Sequence, residues 1–458
     1  MALIELDLYA PPDPPPPPAR SGRHRAFALA GVLVLLLALA GGSPAAAFAL
    51  WQQMGVAPIA TPTGAFHIID GRLYTFDATG TRLLTSAWSM DPIRMLWSRV
   101  SQVPAPGPDG LQPGLGWSVS AAGGGNVLLQ ADRSSSLIDA ETGAVRWTLP
   151  EVVRPLADGR TGLTYGQEFP PGSTYDAIRG AQGALYFGDD GTPHTQPPVR
   201  TTLRAVDLQT GRERWRRSLP GPAVAVGAPG DPHVVLVVAS NWLGRLDTGT
   251  GAVQLGRTVD GPAPRDLSEA DIFGALVLVR HGAPGNGGTV TAYSTRTLDQ
   301  LWRRTEPVEG GPAFCDDVLC DYQDDGVAVL DAVTGRELWH TTDDAGLVAH
   351  GTDVIEVTNG GTRPLRVRDA VTGVVRVELG QWTYSTASPA ADPLVVGHLS
   401  GARSVFGVLL PGARSVQPLG YASTPVSDCE SDDRFVVCRV IDGAEIWAYR
   451  SAPVPHHG

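Results

Sequence analysis

The chain has 458 residues, 43% apolar and 18% charged, which is enough to bury one large core and too apolar for a disordered polymer. A formal net charge of −12 excludes the basic face that nucleic-acid binding needs. All 35 residues counted as Lys+Arg are Arg, so a Schiff-base lysine, a lysine general base and a phosphate-loop lysine are excluded, and the 55 Gly and 39 Pro favour turns over long helices.

From the N-terminus, residues 1–25 read as a cytoplasmic tail whose PPDPPPPP run (11–18) is an extended polyproline II spacer. Ala26–Trp51 carries no charge over 26 positions and, at about 1.5 Å of rise per residue, is long enough to cross a hydrocarbon core of about 30 Å as a helix. Arg20, Arg23, His24 and Arg25 precede it, and the next Arg is Arg72. The positive-inside rule therefore predicts a single-pass protein of the cell membrane with a cytoplasmic N-terminus and an exported C-terminal mass. A cleaved leader ending near Ala45-Ala46-Ala47 is the competing reading; the long leader and the apolar continuation Phe48–Trp51 favour the uncleaved anchor. Residues 52–63 then read as a linker, 64–450 as the extracytoplasmic domain and 451–458 as a tail.

Beyond the anchor one pattern recurs. LRAVDLQTGRERW (203–215) is echoed by LIDAETGAVRW (137–147) and VAVLDAVTGRELW (327–339). Trp147, Trp215, Trp302 and Trp339 end clear copies, Leu255 and Val377 take the Trp place in weaker ones, and SAWSMDPIRMLW ends at Trp97. Eight residues before that place stand Asp139, Asp207, Asp247, Asp331 and Asp369; four before it stand Gly143, Gly211, Gly251, Gly335 and Gly373. A shortened copy ends at Trp447 and a degenerate one falls within 407–419. Spacings of 40, 47, 37 and 38 from Trp215 onward match a four-stranded propeller blade. Each part of the motif has a job. The Asp carboxylate accepts turn amides, Gly permits a left-handed reversal, and Trp supplies a flat surface for packing between blades. Apolar runs such as VVLVVAS (234–240) and FVVC (435–438) are nearly continuous, as expected of strands buried on both faces.

AVDLQTGRERW (205–215) resembles the tryptophan-docking repeat of quinoprotein-like (PQQ-like) β-propellers, and the likeness runs from about residue 64 to 450. The resemblance implies an all-β propeller in which Trp147, Trp215, Trp302 and Trp339 dock on neighbouring blades, with Asp139, Gly143, Asp207, Gly211, Asp331 and Gly335 shaping the turns they dock on. Eight blades are expected, or else seven, after one N-terminal transmembrane helix. The strand around Phe66–Ile69 is expected to close the ring by completing the blade that holds Ile446–Tyr449.

The four cysteines form two local pairs, Cys315/Cys320 and Cys429/Cys438, each flanking an Asp-Asp turn. One cross-strand disulfide in each of two equivalent hairpins is the simplest account, and export permits it. No His with ligand spacing stands near them to make a zinc site. The enzymes of the resembling family use an adjacent Cys-Cys pair, calcium and an Asp base with the quinone. No adjacent Cys pair exists here, so no catalytic residue and no cofactor is assigned. The acidic stretches Asp316–Asp325 and Asp428–Asp433 contain carboxylates of the kind calcium takes, but without EF-hand spacing they read as solvated turns.

Two stretches exceed what hairpins need, 101–117 and 160–200; Tyr165, Phe169 and Tyr175 in the second are candidate recognition aromatics. The expected function is a non-catalytic scaffold for a protein partner or ligand at the cell envelope, as in the outer-membrane assembly propellers of the resembling family. A quinone-dependent dehydrogenase and an envelope sensor are the alternatives.

Overall fold

A computed structural model describes residues 50–450, apart from 62–63, 103–116, 132, 177–184, 189–190, 260–266, 282–287, 307–311, 316–317, 324–325, 342–344, 359–362 and 387–392. The described residues build nine four-stranded antiparallel sheets and one two-stranded hairpin. Strands a to d follow in chain order in every sheet but the last, which takes its fourth strand from Leu50–Pro58. In blade 4, for example, they are Ala223–Ala228, Asp231–Ala239, Trp242–Asp247 and Val253–Thr258. No helix among the described residues is long and apolar enough to cross a membrane. The expected anchor, apart from Leu50 and Trp51, and both tails lie outside the described residues.

Alternation within a single strand explains the continuous apolar runs. In strand b of blade 4, Val235, Val237 and Ala239 pack towards blade 3, while Val234, Leu236 and Val238 pack towards blade 5. Successive side chains of a strand point to opposite faces, and here both faces are interior. The buried apolar side chains accordingly divide into nine clusters, one at each junction between consecutive blades, including blade 9 with blade 1. The ring is therefore closed.

Nine blades replace the expected eight. The weak copies ending near Val377 and within 407–419 each become a complete sheet, blades 7 and 8. Losing the signature residues removes a docking contact but leaves the two-sided apolar strands that make a blade. Closure also differs from expectation. Phe66–Ile69 lies in strand a of blade 1, and the fourth strand of blade 9 is Leu50–Pro58, paired with Gly443–Arg450 from Leu50↔Arg450 to Pro58↔Gly443. Trp447 consequently sits on a third strand, not at the docking place. Leu50 and Trp51 of the uncharged run and residues 52–58 of the expected linker thus form an outer strand of the propeller, a largely exposed one in which only Ala57 is fully buried, which is why the sequence carries no apolar run to mark it.

The repeated motif is an interblade dock. Trp97, Trp147, Trp215, Trp302 and Trp339 each donate Nε1–H to a backbone carbonyl of the next blade, that of Ala140, Leu208, Thr248, Ala332 and Ala370, at 2.7–3.1 Å. Each ring covers the glycine of the next blade's turn, where a Cβ would stand 2.5–2.9 Å from it. These glycines have φ of +67° to +71°, so they serve both the left-handed turn and the close approach. Oδ1 of Asp139, Asp207, Asp247, Asp331 and Asp369 accepts the amide and hydroxyl of the Thr three residues on, at 2.7–3.0 Å. These bonds hold the carboxyls of Asp139, Asp247, Asp331 and Asp369 below their ordinary value.

Blades 4 and 5 break the rule on both sides at once. Leu255 replaces the Trp, and Leu298 replaces the glycine at φ 59° with its side chain fully buried. A ring at 255 would collide with a side chain at 298, so the two departures compensate. Farther round the ring other tryptophans serve. Trp382 covers Gly407, and Trp51 covers Gly420 and donates to the Tyr421 carbonyl at 3.0 Å.

Both expected disulfides are present, Cys315–Cys320 and Cys429–Cys438, with Cα separations of 5.8 and 4.1 Å. Each ties the innermost strand of its blade, a, to strand b.

Candidate interaction face

Four antiparallel strands put the a–b and c–d turns on one face of the ring and the b–c and d–a connections on the other. The docking turns are c–d turns, so the face that carries them is committed to architecture. Both long insertions are connections of the other kind, b–c or d–a. The insertion of blade 3 is a b–c connection between Thr161–Glu168 and Arg200–Asp207, and the 103–116 segment joins strand d of blade 1 to strand a of blade 2.

The described part of the blade 3 insertion is folded. Tyr186–Phe187 pairs with Pro193–His194, and His194 stacks on Phe169 with ring centroids 3.7 Å apart and accepts or donates at Nδ1 to the Ser173 hydroxyl at 3.0 Å. Tyr175 is half-buried and donates its amide to the Pro193 carbonyl at 2.8 Å. Tyr165 is not in the insertion. It lies on strand b, its hydroxyl bonded to the carbonyl and the amide of Ala225, and it braces blade 3 against blade 4. Of the three expected recognition aromatics the lobe therefore holds Phe169 and Tyr175, both engaged within it. The exposed aromatic is Phe187, 62% exposed, which the sequence reading passed over. Its signal was YF-GDDG-TPH, two short runs either side of a Gly-Asp-Asp-Gly turn.

Two cavities open on this face. One, of about 560 Å³, lies between blades 3 and 4 beside the insertion and is walled by Pro170, Pro197, Pro198, Pro220 and Pro222. The other, of about 410 Å³, lies where strand a of blade 9 meets strand a of blade 1. There Glu430 accepts from His67 Nδ1 at 2.8 Å and from the Ile68 amide at 3.0 Å, while Arg439 donates to the Gly64 carbonyl. The Glu430 hydrogen bond outweighs the effect of burial and raises the His67 pKa above its ordinary 6.5. Protonated His67 thus favours the closed seam; its contribution is complete below pH 6.5 and is lost as pH rises through the raised value. Glu430→Gln is expected to bring the His67 titration followed by NMR back towards 6.5 and to reduce the fall in stability as pH rises above 6.5; an unchanged titration would sink the assignment.

The acidic stretch around Glu430 is divided among separate tasks. Glu430 clasps blade 1, Asp432 Oδ1 accepts the amides of Arg434 and Phe435, and Asp428 is exposed. Among the described residues no group of three or more His, Cys, Asp or Glu could hold a metal. Asp316, Asp317, Asp324 and Asp325 lie outside the described residues, and Asp321 pairs with Arg304 at 3.1 Å.

A closed ring of four-stranded blades, docked by tryptophan onto Asp-x-x-Thr-Gly turns, defines a PQQ-like β-propeller. The family model described as "Outer membrane protein assembly factor BamB" matches residues 199–308 and 286–456, more than half of the sequence, and the chain belongs to this family. Among curated proteins no sequence matches the chain. Similar solved structures include BamB from Moraxella catarrhalis, at 16% identity over 72% of this chain and 96% of that one, with a TM-score of 0.35. A eukaryotic initiation factor matches at 12% identity over 82% and 95%, TM-score 0.49, and a europium-containing methanol dehydrogenase at 12% over 78% and 84%, TM-score 0.39. None of the three decides between a binding protein and an enzyme.

Proposed function

We propose that this chain is a non-catalytic scaffold of the cell envelope, held to the membrane by its apolar N-terminal segment and binding a protein partner through the b–c and d–a face. One observation carries the reading: the described part of the blade 3 lobe and both cavities fall on the face opposite the docking turns. Long connections on a rigid frame are where propellers can vary without loss of packing. Membership of a family described as an assembly factor supports partner binding, and the absence of an adjacent Cys pair speaks against quinone chemistry of the kind the family's enzymes use.

A photocrosslinking residue placed at Phe187 or Val199 in the full chain, in its native envelope, is expected to capture a protein, whereas one at Val333 or Val371 on the docking-turn face is not. Capture from the docking-turn face alone, or from neither, would overturn the reading. So would bound-quinone absorbance with alcohol-dependent dye reduction after adding pyrroloquinoline quinone and calcium to the purified chain.

A further inference from the structure

We propose that the docking-turn face of the propeller lies against the lipid bilayer, with the exposed valines of blades 6 and 7 seated in its outer apolar layer. The partner face then points away from the membrane. The inference rests on the anchor of the scaffold reading and adds to it the direction in which the scaffold is presented.

The first observation is where the chain enters the ring. Leu50–Pro58 is strand d of blade 9, and Leu50 pairs with Arg450 at the end of strand c. Strand c ends on the side of the c–d turns, so the chain joins the propeller on the docking-turn face. Of the uncharged positions 26–49 that precede Leu50, a membrane span takes about 20. The remaining four or so reach at most ~14 Å when fully extended. The opposite face is farther off by the length of the nine-residue strand d, roughly 27 Å. So short a tether cannot bring that face to the bilayer.

The second observation is the composition of the turn tips. The third residue of Asp-x-x-Thr-Gly has an exposed side chain in blades 2 to 7, so packing does not select it. In blades 2 to 5 it is Glu141, Gln209, Gly249 and Arg296, the residues of a solvated tip. In blades 6 and 7 it is Val333 and Val371, 57% and 55% exposed, and Val374 beside the latter is 62% exposed. Blade 8 places Pro411 at its own exposed c–d tip. Single exposed apolar residues are ordinary. These occupy three consecutive blades directly before blade 9, through which the chain enters.

Charge does not supply the attraction. The face carries the motif carboxylates, and Asp139, Asp207 and Asp369 are paired with Arg146, Arg214 and Arg376. It offers no basic cluster for anionic headgroups, so the contact is the transfer of valine side chains out of water.

The test uses the full chain reconstituted in phosphatidylcholine vesicles. A photocrosslinking residue stands at Val333, Val56, Phe187 or Val199, and lipid adducts are read by mass spectrometry. Adducts at Val333 are expected to exceed those at Phe187 and Val199 about 5-fold or more, and Val371→Asp with Val374→Asp should lower them about 5–10-fold. Both valines are exposed, so unchanged thermal unfolding of the double variant is expected alongside. Val56, 41% exposed on the outer strand, reports a ring lying on its side. Adducts strongest at Val56 or Phe187, equal adducts at all four positions, protein adducts in place of lipid at Val333, or Val333 adducts indifferent to the aspartates overturn the orientation. An alkaline carbonate wash separates the two readings. If the chain stays with the vesicles while Val333 gives no lipid adduct, the orientation is wrong and the anchor stands; if the wash releases the chain, the anchor fails and the orientation with it.

Discussion

Trp215→Ala is expected to destabilise the propeller by about 3–5 kcal/mol in urea denaturation, the cost of emptying a buried aromatic site. The side chain is 8% exposed, lies against Gly251 and donates to the Thr248 carbonyl at 2.8 Å. The substitution leaves a cavity and strips that carbonyl of its partner. Leu255→Ala is the internal control. It changes the equivalent position one blade on, but Leu255 is 40% exposed and docks on no glycine, so the expected cost is below about 1 kcal/mol. Equal losses at the two positions would show that the dock contributes nothing beyond ordinary packing. The compensation between Leu255 and Leu298 can be read in the same assay. Leu255→Trp alone should destabilise by overpacking, and combining it with Leu298→Gly should recover stability non-additively, since it rebuilds ring and glycine together.

Removing the closing strand is expected to have the larger effect. A chain starting at Ala49 retains every strand of the ring, and its unfolding should remain a single cooperative transition. A chain starting at Ile59 loses the fourth strand of blade 9. The edge of Gly443–Arg450 is then unpaired, Gly420 and Trp447 lose the Trp51 ring, and the junction with blade 1 loses Ala57 and Met54. An exposed strand edge beside opened apolar clusters favours aggregation. Such a chain should be insoluble or lack cooperative unfolding by circular dichroism. If it folds like the longer form, residues 50–58 are dispensable and closure belongs elsewhere.

Much of this was legible from the residues. The Trp–Gly–Asp spacing identified the docks, and in five copies the partners are those expected, because a turn and the strand that follows it are set within about a dozen residues. Where a signature decays, the pattern ceases to report. Val377 and the 407–419 copy belong to full blades, yet the rings that pack there, Trp382 and Trp51, come from outside the motif's register. Nine motif-like places could be counted, and discounting the poor ones is what lowered the expected number to eight. Tyr165 was misjudged for a related reason: an aromatic residue near a long loop looks the same whether it faces solvent or spans to the Ala225 backbone.

By itself the sequence determined the blade as a unit, its docking device, the two hairpin disulfides and the absence of a vicinal cysteine pair. All of these are local, set by alternation, turn chemistry and short spacings. Only the tertiary structure decided that there are nine blades, that Leu50–Pro58 closes them, that His67 meets Glu430 across 363 residues, and that the described part of the blade 3 lobe shares one face with two cavities. Those facts depend on which edges meet when the ring closes. Pairing between distant strands is selected by the fit of whole surfaces, which leaves no periodic mark on the chain.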